Sequence, residues 1–351
     1  MTQAWMIYGA NGYTGALITR MAAERGMRPI VAGRTHAAVA AVAARHGLAP
    51  RTFALGDAAA LDAALADVAL VLHCAGPFAH TARPMAESCL RTGTHYLDIT
   101  GEIAVFEDLA RRDAQAQAAG IMLLPGAGFD VVPSDCLALH LKQRMPEAQR
   151  LTLAFQALGR VSWGTATTAV ENLHRGGMLR RDGRLVELHG PPPVRAIDFG
   201  RGPVDTVALP WGDVATAYYS TGIPNIEVYA TLGASARWLM ALGRPLGWLL
   251  ASDPGQRLLK RLIRLQPAGP SDAERAAGLS LLWGEVSDPA GRRCAARMRA
   301  PEGYTLTALT ALAIVERVLA GQAPAGFQTP ARAYGADFIR QFPGVELADL
   351  P

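Results

Sequence analysis

The first fifteen residues constrain the fold of this chain more than any other feature. The run Ala4-Trp5-Met6-Ile7-Tyr8 reads as a short buried strand, followed at once by Gly9-Ala10-Asn11-Gly12-Tyr13-Thr14-Gly15 and then by a helical run, Ala16–Arg25. A strand, a glycine turn and a helix start in that order mark a dinucleotide site. Gly9 allows the tight turn, Gly12 lets backbone N–H groups approach a pyrophosphate, and Gly15 lets the helix pack on its strand. A diphosphate then sits at the positive end of the helix dipole. Asn11, Tyr13 and Thr14 complete the expected contact set on this turn.

The second strand selects the dinucleotide. Arg28–Ala32 leads into Gly33-Arg34-Thr35. An NAD site places an acid here, on the ribose 2′-OH, roughly 20 residues past the glycine turn. This chain has Arg34 with Thr35 beside it, and its nearest acid, Glu24, lies in the first helix. A guanidinium matches a 2′-phosphate and can stack on adenine, so the expected cofactor is NADP, as NADPH.

At 351 residues the chain is long enough for about two domains. Half of it is hydrophobic and 18% charged, which excludes general disorder. The formal charge is +4, from 34 basic and 30 acidic residues, and no Lys/Arg run exceeds two, so nucleic acid is not an expected partner. Cys74, Cys89, Cys136 and Cys294 form no CxxC pair, which predicts a reduced, cytoplasmic protein without a metal site. The N-terminus runs straight into a strand, with no basic leader or small-residue cleavage site, so no signal peptide is expected.

Up to about residue 125 strands and helices alternate. Expected strands follow at Thr52–Leu55, Asp67–Cys74, Thr94–Asp98 and Gly120–Leu124, with helices at 37–46, 58–66, 81–92 and 104–119 between them. The fold class is α/β: an N-terminal Rossmann doubly wound parallel sheet, with a second α+β domain containing an antiparallel sheet. That sheet is expected from strands at 151–158, 227–232, 279–286 and 294–300. The predicted boundaries are 1–130 for the NADP-binding domain, 131–302 for a substrate and dimerisation domain, and 303–351 for a C-terminal helix, 305–320, and an extended tail returning to the first domain.

Residues 236–265 are apolar but interrupted by Gly243, Pro245, Gly247 and Pro254, and carry Arg257, Lys260, Arg261 and Arg264. The uninterrupted stretch is too short for a spanning helix. The segment is expected to cover a cleft or a subunit face of a homodimer; stable membrane insertion is not expected, and peripheral contact stays open.

In an open parallel sheet, ligands bind beyond the carboxyl ends of the strands. Three such loops carry informative residues. Ala75-Gly76-Pro77-Phe78 presents small residues for a backbone to pass a nicotinamide ribose. The other two, Asp98–Glu102 and Pro125–Asp135, offer carboxyl candidates for a proton donor at Glu102, Asp130 and Asp135, each equally suited to capping a helix or holding a loop.

These residues also carry a resemblance. The glycine turn, Gly76-Pro77-Phe78, Gly93–Glu102 and Gly128–Asp135 resemble the saccharopine dehydrogenase-like oxidoreductase family, in particular its short bacterial branch, which includes trans-acting enoyl reductases. Pro270-Ser271-Asp272, Leu282-Trp283-Gly284-Glu285 and Glu302-Gly303-Tyr304 are similar to that branch too. The resemblance implies a Rossmann domain, an inserted α/β domain, a C-terminal helix returning to the first domain, and NAD(P)-dependent reduction.

The expected activity is therefore hydride transfer from NADPH to a C=C (enoyl) or C=N bond of a small-molecule substrate in the interdomain cleft. An amino-acid substrate would call for a carboxylate-binding arginine, for which Arg160, Arg175 and Arg195 are available. A Tyr-x-x-x-Lys pair is excluded, because Ala138 and Gln256 stand four residues before the only lysines, Lys142 and Lys260. Two alternatives remain open. One is a non-catalytic NADP-binding sensor or scaffold. The other is a cysteine-dependent acyl-phosphate or aldehyde reductase using Cys136, since Gly9–Gly15 also resembles the turn of N-acetylglutamyl-phosphate reductases.

Overall fold

The structure is a computed structural model that describes residues 3–158, 161–172, 177–188, 190–231, 252–263 and 265–351. The chain divides into two compact units, Met1–Val132 with Tyr304–Phe342, and Pro133–Gly303 with Pro343–Pro351.

In the first unit strands and helices alternate: β1 (Trp5–Tyr8), α1 (Tyr13–Glu24), β2 (Ile30–Gly33), α2 (His36–His46), β3 (Ala49–Thr52), α3 (Ala58–Leu65), β4 (Leu70–His73), α4 (Phe78–Thr92), β5 (His95–Asp98), α5 (Ile103–Ala110), α6 (Asp113–Ala118) and β6 (Met122–Leu124). Every residue of β1 and β4 is buried, as the unbroken apolar runs require of parallel strands covered on both faces. Burying each Leu or Ile stabilises the fold by about 1.5–3 kcal/mol. Gly47 and Gly93 end α2 and α4 in the left-handed conformation.

Two expectations shift. The third strand lies at Ala49–Thr52 rather than 52–55. It takes in Pro50, which reads as a breaker in sequence but is tolerated because β3 is the edge of the sheet. The helix expected over 104–119 is two helices, broken at Arg111-Arg112, where the Arg112 N–H turns back to the Leu109 carbonyl.

The second unit contains α7 (Val132–Arg144, its first residue in the first unit), β7 (Arg150–Leu158), α8 (Trp163–Asn172), β8 (Gly177–Arg181), β9 (Arg184–Leu188), β10 (Val194–Asp198), β11 (Pro203–Ala208), α9 (Asp213–Thr221) and β12 (Asn225–Ala230). It continues with α10 (Asp253–Ile263), α11 (Asp272–Ala277), β13 (Leu279–Ser287) and β14 (Arg293–Pro301). Its sheet is mixed rather than antiparallel throughout, because β12 pairs with β7 in parallel. The β11–β12 pairing has only two registered residues, Val207–Ala230 and Ala208–Tyr229. Beyond it the sheet curls over, so that Arg195 on β10 reaches Glu285 on β13 at 2.9 Å and Arg297 Nε on β14 donates to the Asp198 carbonyl at 2.8 Å. Ile197, Phe199, Tyr229, Leu281 and Trp283 form the core inside the curl. On the other face α7 sits so close that a β-carbon on Gly284 would lie 2.7 Å from Leu141.

The C-terminal tail is more ordered than expected. After α12 (Gly303–Leu319), β15 (Gly326–Phe327) adds a seventh parallel strand beside β6, followed by α13 (Pro330–Tyr334) and a 3-10 turn over Ala336–Gln341. Then β16 (Glu346–Leu350) pairs with β14 in the second sheet. The brevity of β15 hides it in sequence. The first sheet therefore runs β15-β6-β5-β4-β1-β2-β3, all parallel, with the order reversing at β1.

Of residues 236–265, 236–251 and 264 lie outside the described residues, and the expectation that they cover a cleft or subunit face lies there with them. In the described remainder, Leu262 and Leu265 are exposed rather than covered by their own chain.

Candidate active site

The reversal of strand order at β1 leaves a crevice between the loops that follow β1 and β4, the position where open α/β sheets take ligands. Backbone proximity shapes it. Gly9 has φ +83° and lies against Cys74-Ala75, where a β-carbon would meet the Ala75 nitrogen at 2.8 Å. Gly15 allows α1 to close on the turn, since its β-carbon would lie 2.2 Å from the Gly9 carbonyl oxygen. Gly12, exposed, is the N-cap of α1 and makes no side-chain cap. The N–H groups of the first turn of α1 thus point at a glycine-walled space, a cradle that side chains would fill. Tyr13 packs edge-on against Tyr304 at the start of α12, ring centroids 5.0 Å apart.

The end of β2 joins the same crevice. Gly33 lies so near Asn11 that a β-carbon would meet Asn11 Oδ1 at 3.1 Å. Arg34 and Thr35 are exposed, Thr35 stands at the N-cap position of α2 without a side-chain cap, and the first turn of α2 holds no acid. Among the described residues no carboxylate pairs with Arg34, so its guanidinium is available to a phosphate. Cradle and cation together fit a dinucleotide carrying a 2′-phosphate.

Ala75-Gly76-Pro77-Phe78 leads from β4 into α4, with Pro77 as the N-cap. The loop is held by Thr81, whose hydroxyl donates to the Ala75 carbonyl at 2.7 Å. Glu102 accepts the N–H groups of Phe78 and Ala79 at 2.8 and 3.0 Å, so its carboxylate is bound to the start of α4. Asp130, at the carboxyl end of β6, lies against Gly101, where a β-carbon would come within 3.0 Å of Asp130 Oδ2. Asp130 is half-buried by its exposed area, and the loss of hydration around its carboxyl raises it to about 7, which leaves it partly protonated at neutral pH. Glu102 and Asp130 therefore flank one loop in the first unit. Asp135 belongs to the second unit, buried in α7, where the Ser220 hydroxyl donates to it.

Asp98, the last residue of β5, organises these loops. Its Oδ1 accepts the N–H groups of Thr100 and Gly126, both at 2.9 Å, and Oδ2 accepts the Tyr96 hydroxyl at 2.6 Å. Burial raises it to about 6 against the pull of those donors. Thr307 is a second unforeseen participant: its hydroxyl accepts the Phe129 N–H at 2.9 Å and Thr310 donates to the Ala127 carbonyl at 2.8 Å, fixing the Asp130 loop on α12. An Asp in a G-x-D turn is legible in sequence; a partner about 180 residues away is not. His73 ends β4 fully buried among Tyr8, Phe78 and Tyr96, and neither ring nitrogen has a hydrogen-bond partner among the described residues. Burial lowers it to about 3.

Cys136 is fully buried in α7, with no exposed thiol to meet a substrate. Arg195 is held by Glu285 and Thr152 and lies over the Trp283 ring at 4.9 Å. Arg160 and Arg175 lie outside the described residues.

Comparison with known proteins agrees with this geometry. Residues 5–124 match the family model of the saccharopine dehydrogenase NADP binding domain. Similar curated proteins include a trans-acting enoyl reductase of Mycobacterium leprae, 33% identical over 150 residues, covering 40% of this chain and 36% of that protein. A saccharopine dehydrogenase-like oxidoreductase of Rattus norvegicus is 29% identical over 160 residues, covering 40% of this chain and 37% of that one. The matched stretch thus spans little more than a third of these relatives' length. Among solved structures, the apo saccharopine dehydrogenase (L-Glu forming) of Saccharomyces cerevisiae shares the fold, with TM-score 0.69 and 12% identity over 99% of this chain and 100% of that one. Over residues 5–124, about a third of its length, the chain is thus similar to the saccharopine dehydrogenase NADP binding domain.

Proposed function

We propose that this protein is an NADPH-dependent reductase that delivers hydride to the C=C bond of an enoyl substrate, with Asp130 as the proton donor. The observation that carries this reading is a carboxyl poised near neutrality, beside Gly101, at the carboxyl end of β6 in a unit whose β1 turn cradles a dinucleotide. Gly9–Gly15 and the first turn of α1 hold the diphosphate, Arg34 and Thr35 the 2′-phosphate, and Ala75–Phe78 the nicotinamide ribose. When bound, the reduced nicotinamide supplies hydride to the β-carbon. Asp130 gives its proton to the α-carbon, where negative charge develops, and is reprotonated from solvent. Asp98 and Thr307 keep that carboxyl in place by fixing the loops on either side of it.

A C=N substrate is the second reading within the same chemistry. Enoyl reduction is favoured over it because Arg195, the described candidate for clamping an amino-acid carboxylate, is engaged with Glu285. The named enoyl reductases among the relatives support the same choice. Covalent thiol catalysis is disfavoured by the burial of Cys136. A cytoplasmic homodimer completes the proposal; light scattering on the purified chain checks the assembly.

The deciding experiment mixes the protein with 4-deuterated NADPH and either an enoyl thioester or a glutamate-derived imine. Deuterium at the β-carbon of the saturated thioester supports the reading. Label only in the amine product replaces it with the C=N reading, and label in neither leaves the non-catalytic alternative standing.

A further inference from the structure

We propose that the second unit docks on an anionic lipid surface through the face formed by α10 and the start of α8. Among the described residues six large hydrophobic side chains are exposed, and four of them, Val161 at 58%, Trp163 at 38%, Leu262 at 50% and Leu265 at 79%, come from these two short stretches. The stretches are joined. The Trp163 indole N–H donates to the Gln266 carbonyl at 2.7 Å, and the Trp163 backbone N–H donates to the Ala268 carbonyl at 3.0 Å. The Leu265 N–H turns back onto the Leu262 carbonyl, so the chain leaving α10 stays beside the helix. Four apolar side chains scattered over a surface need no explanation, but four gathered at one place do.

The charge around them selects the occupant. The described charged side chains of α10 are both cationic, Arg257 and Arg261. Arg257 and Arg261 are exposed and stand four residues apart, so they share one stripe of α10, and Leu262 lies on the neighbouring stripe. Guanidinium groups next to exposed leucines, with a tryptophan whose N–H is already satisfied, match the boundary between lipid headgroups and acyl chains. A second copy of the chain on the same face would set this cationic stripe against itself under two-fold symmetry, whereas anionic headgroups are complementary to it. Among the described residues no helix is long and apolar enough to cross a membrane. The contact proposed is peripheral: leucine and tryptophan side chains enter the headgroup region while the arginines meet phosphates.

The experiment is co-sedimentation of the full chain with phosphatidylcholine vesicles and with vesicles containing about one-third phosphatidylglycerol, at low and high salt. Binding several-fold stronger to the anionic vesicles and weakened by salt is expected. Arg257→Glu with Arg261→Glu should lower the bound fraction about tenfold or more, given roughly fivefold for each basic residue near an anionic surface. Leu262→Ser with Leu265→Ser should lower it on both kinds of vesicle. All four residues are exposed, so NADPH affinity and melting temperature should stay at the parent values in both variants. Equal binding to both vesicle types, no binding to either, or binding unchanged in the variants would overturn the proposal. So would an oligomer in solution that dissociates in the leucine variant, which would assign this face to a second copy.

Discussion

Gly9 and Ala75 approach so closely that a β-carbon on Gly9 would lie 2.8 Å from the Ala75 amide nitrogen and 2.9 Å from the Ala75 β-carbon. The turns after β1 and β4 therefore share a wall at the point where strand order reverses, and only backbone fits there. The same economy of side chains lets α1 begin directly beneath the crevice, with the N–H groups of its first turn facing it.

The three glycines of the turn should separate by experiment. Gly15→Ala places a β-carbon 2.2 Å from the Gly9 carbonyl, so the helix must shift; a destabilisation of about 1–3 kcal/mol and loss of NADPH binding are expected. Gly12→Ala meets the same oxygen at 3.3 Å. It should melt near the parent temperature and still bind NADPH at least tenfold more weakly, because the methyl group stands where the pyrophosphate must approach. Differential scanning fluorimetry with and without NADPH reads both effects. Normal affinity in the Gly12 variant would place the diphosphate elsewhere.

Asp130 should control the pH dependence of hydride transfer. Its folded value of about 7 means that the proton-donating form is lost above neutrality, so the single-turnover rate should fall about tenfold per pH unit there. Asp130→Asn should lower the rate by about 10²–10⁴ and flatten that limb, with NADPH affinity unchanged. Gly101→Ala, which pushes a methyl group to 3.0 Å from Oδ2, should give a milder version of the same loss. A rate independent of pH between 6 and 9, as measured by stopped flow, would remove Asp130 from the reaction.

His73 should limit stability in acid. Its folded value of about 3 lies below the ordinary value of 6.5, so the unfolded chain takes up more protons as pH falls. The stability tied to the neutral ring is complete above about pH 6.5 and is lost progressively towards pH 3. His73→Phe keeps an aromatic ring among Tyr8, Phe78 and Tyr96 and removes two buried nitrogens without partners. It should raise stability by about 1–3 kcal/mol and reduce the gap between melting temperatures at pH 5 and pH 8. A less stable variant with the parent gap would mean that those nitrogens are satisfied.

Much of the first sheet is legible in sequence because parallel strands buried on both faces are written as unbroken apolar runs, as in Met6-Ile7 and Leu70-Val71-Leu72. Gly9, Gly12, Gly15 and Arg34 are legible for a related reason: a turn, a helix start and a cation occupy fixed offsets from a strand. Asp98 was hidden because Gly126, the partner that ties two loops together, is brought to it by the pairing of neighbouring strands rather than by sequence spacing. Thr307 was hidden because a helix from the far end of the chain supplies it. The curl of the second sheet is also unwritten locally, since it depends on the two-residue β11–β12 pairing and on contacts such as Arg195–Glu285 that form only after the strands are ordered.

Arg34, exposed and without a carboxylate partner among the described residues, should make this an NADPH site. Calorimetric titration of the purified chain with NADPH and with NADH, repeated for Arg34→Ala, tests it most directly. NADPH should bind more tightly than NADH, and the substitution should weaken NADPH by about 1–3 kcal/mol while leaving NADH nearly unchanged. Equal affinities in the parent protein, or an equal loss for both nucleotides in the variant, would contradict it.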